Sequence, residues 1–172
     1  MELTAIYDSP LGPITLASDG DALTGLRFGV MSGIDAVDAI DSIDIFRRTR
    51  CWLDLYFSGR CPDFLPPLKP CGTAFQQRVW QALREIPYGV TTTYGAVARR
   101  VGCRSAQAVG QAVGRNPIAI IVPCHRVVGS DGSLTGYAYG LEKKNYLLAL
   151  ESKSSALPLP PPHGNGVARW PS

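Results

Sequence analysis

From Ile118 to Val128 the chain reads Ile-Ala-Ile-Ile-Val-Pro-Cys-His-Arg-Val-Val, two β-branched apolar runs with Pro123-Cys124-His125-Arg126 set between them. Any fold available to this sequence must bury those runs, as segments that pair or pack in the interior. It must then supply partners for an imidazole and a guanidinium, because either group buried without hydrogen bonds is strongly destabilising. Polar groups placed inside an apolar run mark the site of the chemistry, and Cys124 is the candidate nucleophile.

The 172 residues, 45% hydrophobic and 18% charged, suffice for one ordinary domain or two small ones sharing an interface. No window approaches the roughly 18 unbroken apolar residues of a membrane span. The N-terminal residues show no basic region followed by an apolar core, so no secretion signal is read and a cytoplasmic protein without membrane contact is expected. The five cysteines (51, 61, 71, 103, 124) contain no C-x-x-C. In a reducing compartment they are expected as buried free thiols with at most one reactive. The only histidines are His125 and His163, too few for a zinc site, and no metal is expected. Charge is divided unevenly: residues 1–71 hold six Lys/Arg against ten Asp/Glu, and residues 72–151 hold nine against four. A basic second half suits a polyanion partner, although a solvated charged face is the commoner cause of such an excess.

Short half-alternating runs from Leu3 to Phe28, separated by Pro10-Leu11-Gly12-Pro13 and Asp19-Gly20-Asp21, predict a small antiparallel meander. Asp35, Asp38, Asp41 and Asp44 recur every third residue and fit either a helix stripe or a solvated loop. Leu53, Tyr56 and Phe57 have helical spacing within a segment from about Arg50, with Gly59 as the stop. Residues 61–70, with four prolines, read as a linker. Thr73-Ala74-Phe75-Gln76 fits a capping box for a helix over about 74–86. Thr93 caps a second helix whose inner face is Tyr94, Val97 and Val101, closed by Gly102. Ser105 caps a third with Ala106, Val109 and Val113 inward, ended by Asn116-Pro117. The last two helices outline a helix-turn-helix, and Ala106, Ala108, Gly110, Ala112 and Gly114 give the second an almost bare surface.

A final helix is expected from about Leu141 to Glu151. There Glu151 follows Leu147 and Leu148 by four and three positions and leaves the same face, so its carboxylate is buried and needs a cation or a histidine. Residues 153–172 read as a Pro-rich, disordered tail. The expected class is α+β: an N-terminal unit over 1–70 with a small antiparallel sheet and helices, and a mostly helical unit over 71–152 bearing the helix-turn-helix and the cysteine.

Pro123-Cys124-His125-Arg126-Val127, preceded by Asn116-Pro117 and followed by Gly140-Leu141 and Leu147-Leu148-x-x-Glu151, resembles the O6-alkylguanine-DNA alkyltransferases. The match runs from about Thr73 to Glu151 and takes in Phe75-Gln76-x-x-Val79-Trp80, Ile86-Pro87-x-Gly89 and Tyr94. Ser9-Pro10-Leu11-Gly12 and Leu55-Tyr56-Phe57-Ser58-Gly59 extend it loosely into the first half, where some members bind zinc and this chain has no obvious ligand set. The resemblance implies irreversible transfer of an alkyl group from O6-alkylguanine in DNA to Cys124, each molecule acting once and without a cofactor. It implies a relay from Glu151 through His125 and a water to Cys124. Tyr94 would assist the leaving guanine, and Asn116 would fix the turn beneath the cysteine. Neighbours on an extended chain point to opposite faces, which is why the relay needs its water.

It further implies a monomer that binds double-stranded DNA through the minor groove and takes up a flipped-out base. Ala106, Gln107, Ala108 and Gly110 would approach the DNA, Arg99, Arg100, Arg104 and Arg115 would contact phosphates, and Val122, Tyr137, Ala138 and Tyr139 would line the substrate pocket. Two positions depart from the family pattern: Gln107 stands where an intercalating arginine is usual, and Tyr139 where glycine is usual. A rival reading is a non-enzymatic lesion binder of the alkyltransferase-like type. Those proteins carry tryptophan at the cysteine position, so Cys124 speaks against it. A plain helix-turn-helix regulator would leave the placement of Glu151 and the Pro-Cys-His-Arg insertion unexplained.

Overall fold

The computed structural model describes residues 2–31 and 41–154. Two compact units partition it: Met1–Cys71 with Pro117–Ala119, and Gly72–Asn116 with Ile120–Ser172. The class is α+β.

In the first unit β1 (Leu3–Ser9), β2 (Gly12–Ser18) and β3 (Leu23–Phe28) form the expected antiparallel meander, in the order β1-β2-β3. The β1–β2 hairpin closes at Ser9↔Gly12, where Gly12 adopts φ +100°, a conformation that a side chain would strain. Alternate residues Ala5, Ile14, Leu16, Leu23 and Leu26 are fully buried. Against them lies α1 (Asp44–Phe57), which buries Ile45, Phe46, Thr49, Trp52, Leu53 and Tyr56. This helix begins six residues before the expected Arg50. Its first turn carries Asp44 paired with Arg47 and Arg48, and Ile45 and Phe46 extend the apolar face beyond what Leu53, Tyr56 and Phe57 disclosed. It ends as expected, with Gly59 at φ +86°.

The edge strand β3 is not left open. Leu23 donates to Pro67 O (2.8 Å) and accepts from Lys69 N (2.8 Å), while Leu26 donates to Pro117 O (2.9 Å) and accepts from Ala119 N (3.0 Å). Residues 67–69, read as linker, are thus a backbone partner of the sheet, which satisfies groups an edge would otherwise expose. Of the acidic stripe, Asp35 and Asp38 lie outside the described residues; Asp41 and Asp44 are exposed and pair with arginines of α1.

In the second unit α2 (Ala74–Arg84) starts at a complete capping box: Gln76 N donates to Thr73 Oγ1 (3.2 Å) and Thr73 N donates to Gln76 Oε1 (3.0 Å). Then follow β4 (Thr92–Thr93), α3 (Tyr94–Val101) and α4 (Ala106–Gly114), the last two capped by Thr93 and Ser105. The indole of Trp80 on α2 is buried and donates to Ala112 O of α4 (2.9 Å). The burial pattern of α4 corrects two expectations. Ala112 is buried and does not belong to the bare face of α4, whereas Ala106 is exposed, because the buried line of this helix begins one turn later at Val109.

Residues 118–128 are all buried, yet most of them are not strand. Turns occupy Ala119 to Ile121, a 3-10 turn spans Cys124–Arg126, and only β5 (Val127–Val128) pairs, in parallel, with β4. Ile120 has φ +68°, unusual for a β-branched residue and held at a cost of order 1–3 kcal/mol by its buried surroundings. Closing the unit, α5 (Leu141–Ser154) runs past Glu151 by three residues.

Candidate active site

Cys124 opens the 3-10 turn, 6% exposed, and borders a cavity of about 310 Å³. The turn comes from the chain before it. Asn116, just past the end of α4, donates its side-chain amide to Val122 O (2.8 Å) and so fastens the loop beneath the cysteine. A 3-10 turn sets successive side chains about a third of a revolution apart. The extended geometry expected between Cys124 and His125 is therefore replaced by a tight turn.

His125 is fully buried, with Nε2 2.6 Å from Glu151 Oε1. Arg126, its neighbour, meets the same carboxylate through Nε (2.9 Å to Oε2) and Nη2 (2.9 Å to Oε1), donates Nη1 to Ile86 O (2.7 Å) and lies over the Tyr88 ring. Gly89 N adds a longer bond to Oε2 at 3.3 Å. Glu151 thus has both the histidine and the cation that its burial demanded. Burial alone would raise its pKa, but the charge and hydrogen bonds of His125 and Arg126 hold it well below the ordinary carboxylate range.

An ionised Glu151 can only accept, so His125 Nε2 carries the proton and the buried Nδ1 keeps its lone pair. Desolvation lowers the His125 pKa despite the opposing pull of Glu151, leaving a neutral imidazole able to act as a base. Burial pushes the Cys124 thiol up, against the Asn116 hydrogen bond and the charge of Lys144, which pull it down. The resting sulfur is therefore a thiol. The buried hydroxyl of Tyr137 meets no oxygen or nitrogen acceptor; the sulfur is the group it faces.

The cavity is lined by Tyr94, Gly110, Val113 and Gly114 on the helix pair, by Asn116 and Cys124, and by residues 136–139. Tyr94 donates its hydroxyl to Thr135 O (3.1 Å), and its ring would lie 3.8 Å from a Cβ built on Gly110. Tyr137 and Tyr139 meet edge to face with ring centroids 5.6 Å apart. Of the expected pocket residues, Tyr137, Ala138 and Tyr139 line the cavity. Val122 does not: its side chain is fully buried, and only its carbonyl serves the site, because the Asn116 bond turns that residue inward. Gly110, Val113, Gly114 and Gly136 went unrecognised as lining residues; the glycines are small where a ligand comes close, a signal the sequence did carry.

On the outer surface Arg99, Arg100, Arg104, Arg115, Ala106 and Gln107 are exposed, and Ala108 is half-buried. Arg100 is held by Glu85 through Nε (3.0 Å) and Nη2 (2.5 Å). The other cysteines differ from expectation: Cys51, Cys61 and Cys71 are exposed and Cys103 is half-buried, since they lie on the solvent side of α1, beside the proline-rich segment and in the α3–α4 turn. Among the described residues no three His, Cys, Asp or Glu side chains converge as a metal site would require, and no helix is long and apolar enough to cross a membrane.

The residue missed altogether is Lys144, fully buried on α5. It stands one turn before Leu147 and two before Glu151, on the face already assigned to the interior.

A sheet unit joined to a helix-pair unit, with a thiol at the edge of a cavity and a neutral histidine behind it, defines a class: a nucleophilic-cysteine protein built on a helix-turn-helix. Family models describe the same chain. Residues 3–70 match the 6-O-methylguanine DNA methyltransferase ribonuclease-like domain, and residues 74–153 match the 6-O-methylguanine DNA methyltransferase DNA binding domain. The chain is 49% identical over 152 residues to a methylated-DNA–protein-cysteine methyltransferase of Methanosarcina acetivorans, covering 86% of this chain and 96% of that one. It is 49% identical over 151 residues to the Mycobacterium leprae protein of the same name, covering 84% and 88%. The crystal structure of Mycobacterium tuberculosis OGT in complex with DNA superposes with TM-score 0.78 at 44% identity, covering 88% of this chain and 93% of that one. The chain belongs to the 6-O-methylguanine DNA methyltransferase family.

Proposed function

We propose that this chain repairs O6-alkylguanine in DNA by moving the alkyl group irreversibly onto its own Cys124. One observation carries the reading: the only buried cysteine of the described residues borders a cavity and is followed by a neutral, buried histidine held by an ionised carboxylate. In the reaction, Cys124 gives its proton through an ordered water to His125, whose imidazolium Glu151 stabilises. The thiolate attacks the alkyl carbon, the S–C bond forms, and the C–O6 bond breaks with its electron pair leaving on the guanine. Tyr94 supports that anion by donating a hydrogen bond. A thioether is not hydrolysed, so each molecule acts once.

The target atom is out of reach inside a duplex, and the base must be flipped out at a cost of a few kcal/mol. α4 enters the minor groove with its exposed Ala106 and Gln107 and half-buried Ala108, while Arg99, Arg104 and Arg115 contact phosphates; Arg100 would first have to leave Glu85. The protein acts as a monomer in the cytoplasm. Gln107 fills the gap left by the flipped base without an arginine's charge or planar stack, so Gln107→Arg should speed repair of duplex substrate several-fold; an unchanged rate would remove this role. Tyr139, bracing Tyr137 at the cavity, should narrow it against large adducts, and equal rates on methyl and benzyl adducts would count against that.

Intact-mass measurement after incubation with duplex DNA containing O6-methylguanine tests the whole. The wild type should gain one methyl group and Cys124→Ala none. Tight binding without a gain in mass would instead favour the lesion-binding alternative.

A further inference from the structure

Glycine weakens a helix relative to alanine, so each one that a helix keeps calls for a reason. α4 holds two, Gly110 and Gly114, four residues apart on one face, and both border the cavity at Cys124. At Gly114 the usual reasons fail. Its backbone is not left-handed, unlike that of Gly136 elsewhere on the cavity wall, which has φ +57°. It does not stop the helix, because the cap is Arg115, at φ −98° and ψ 8°, whose N–H donates to Gln111 O and Ala112 O, each at 3.2 Å. Nor does packing exclude a side chain. A Cβ built on Gly114 meets nothing within 4 Å, whereas one built on Gly110 would meet the Tyr94 ring at 3.8 Å. The protein thus keeps an open slot at Gly114, on the exposed rim of the cavity that the thiol borders.

Displacement at carbon supplies an occupant. The sulfur attacks from the side opposite the breaking C–O6 bond, so sulfur, carbon and O6 lie in one line. Whatever else that carbon carries projects sideways, toward a wall of the cavity. A methyl group presents only hydrogens there, but a propyl or butyl group presents its chain. Residues 137–139 fill their wall with two tyrosine rings that meet edge to face, and beside Gly110 stands the Tyr94 ring. Only at Gly114 does the helix wall stay empty.

We propose that Gly114 is a specificity-determining residue: by carrying no side chain it leaves a channel along the last turn of α4 for the unbranched chain of O6-alkyl groups longer than methyl. The inference rests on the proposed role of Cys124 as alkyl acceptor. Among the described residues that line the cavity none carries a charge, and Val113 stands beside the slot, so the channel suits a hydrocarbon chain. The bonds exchanged are those of methyl transfer. The S–C bond forms, the C–O6 bond breaks with its electron pair on the guanine, and the chain stays on the carbon in the thioether. Gly114 and Tyr139 thereby divide the selection: the tyrosine wall turns away wide groups such as benzyl, and the glycine wall admits slim ones.

Single-turnover transfer, with protein in saturating excess, tests this on two duplexes that differ only in carrying O6-methylguanine or O6-butylguanine. DNA binding and base flipping are common to both, so the ratio of the two rates reads the alkyl group alone. The wild type should transfer butyl within about tenfold of methyl. Gly114→Leu should lower the butyl-to-methyl ratio about tenfold or more. An unchanged ratio overturns the proposal even where both rates fall, since a common fall would assign Gly114 to the approach of DNA. Should the leucine variant fail to fold, Gly114→Ala decides, because its Cβ has open space and alanine favours the helix. There the ratio should fall about threefold, and a wild-type ratio overturns the proposal equally. A wild type that accepts methyl but no butyl sinks the channel and leaves the proposed function standing. One that accepts neither group sinks both.

Discussion

In the N-terminal unit the buried polar side chains are Thr4, Thr15, Ser18 and Thr49, whereas the C-terminal unit buries His125, Arg126, Lys144 and Glu151. Hydroxyls are cheap to bury because a nearby carbonyl satisfies them: Thr15 donates to Gly29 O (2.7 Å), Ser18 to Ala22 O (2.7 Å) and Thr49 to Ile45 O (2.8 Å). The ion pairs of that unit, such as Asp44–Arg47 and Asp19–Lys69, stay at the surface. The second unit accepts the desolvation of four ionisable groups, two of them next to Cys124 in the chain and two on α5. Buried ion pairs give little net stability over apolar packing, so a chain that builds such a cluster in one unit and none in the other has concentrated function there.

The largest test of this contrast is Glu151→Gln, which leaves Arg126 buried without its counter-charge and should destabilise the protein by about 3–5 kcal/mol in chemical denaturation. A loss below about 1 kcal/mol would put the cluster on the same footing as a surface pair. Next comes pH. The folded pKa of His125 is depressed below 6.5 and that of Glu151 below 4.5, so the unfolded chain binds protons more readily in both cases. Their contributions are fully present above those values; stability should fall as pH drops through 6.5 and again, more steeply, below 4.5. A melting temperature flat from neutral pH to pH 5 would contradict the His125 assignment. In the first unit Tyr7→Phe removes the bond from the Tyr7 hydroxyl to Asp54 (2.7 Å) and should cost about 1 kcal/mol. The smallest effect is expected at Asp44→Asn on the exposed face of α1, where the melting temperature should stay within experimental scatter; a clear drop would show that surface pairs carry more here than the contrast allows.

Much of the frame was readable from local signals. The meander followed from alternation and turn residues, and the α2 start from Thr73 and Gln76, whose two reciprocal bonds are both made. Glu151 was placed inside from its spacing to Leu147, although spacing alone left its partner open between a cation and a histidine. The structure gives it both, on consecutive residues. Local signals failed where a distant group overrode them. Residues 118–122 have strand propensity, but the Asn116 amide bonded to Val122 O bends them into turns and withdraws Val122 from the pocket. Ala112 reads as part of a bare face until the Trp80 indole is seen to donate to its carbonyl.

By itself the sequence determined that an imidazole and a guanidinium would be buried beside Cys124 and that the Glu151 carboxylate would be buried on the inner face of its helix, because apolar neighbours at strand and helix spacing left them nowhere else to go. Only the tertiary structure decided which of them pair, and that the lysine one turn before Leu147 joins them. Spacing along a helix fixes a face, but a charge can be buried only where other segments bring acceptors to it. For Lys144 those are the carbonyls of Val127, Thr135 and Gly136, contributed by a strand and a loop that no local pattern connects to α5.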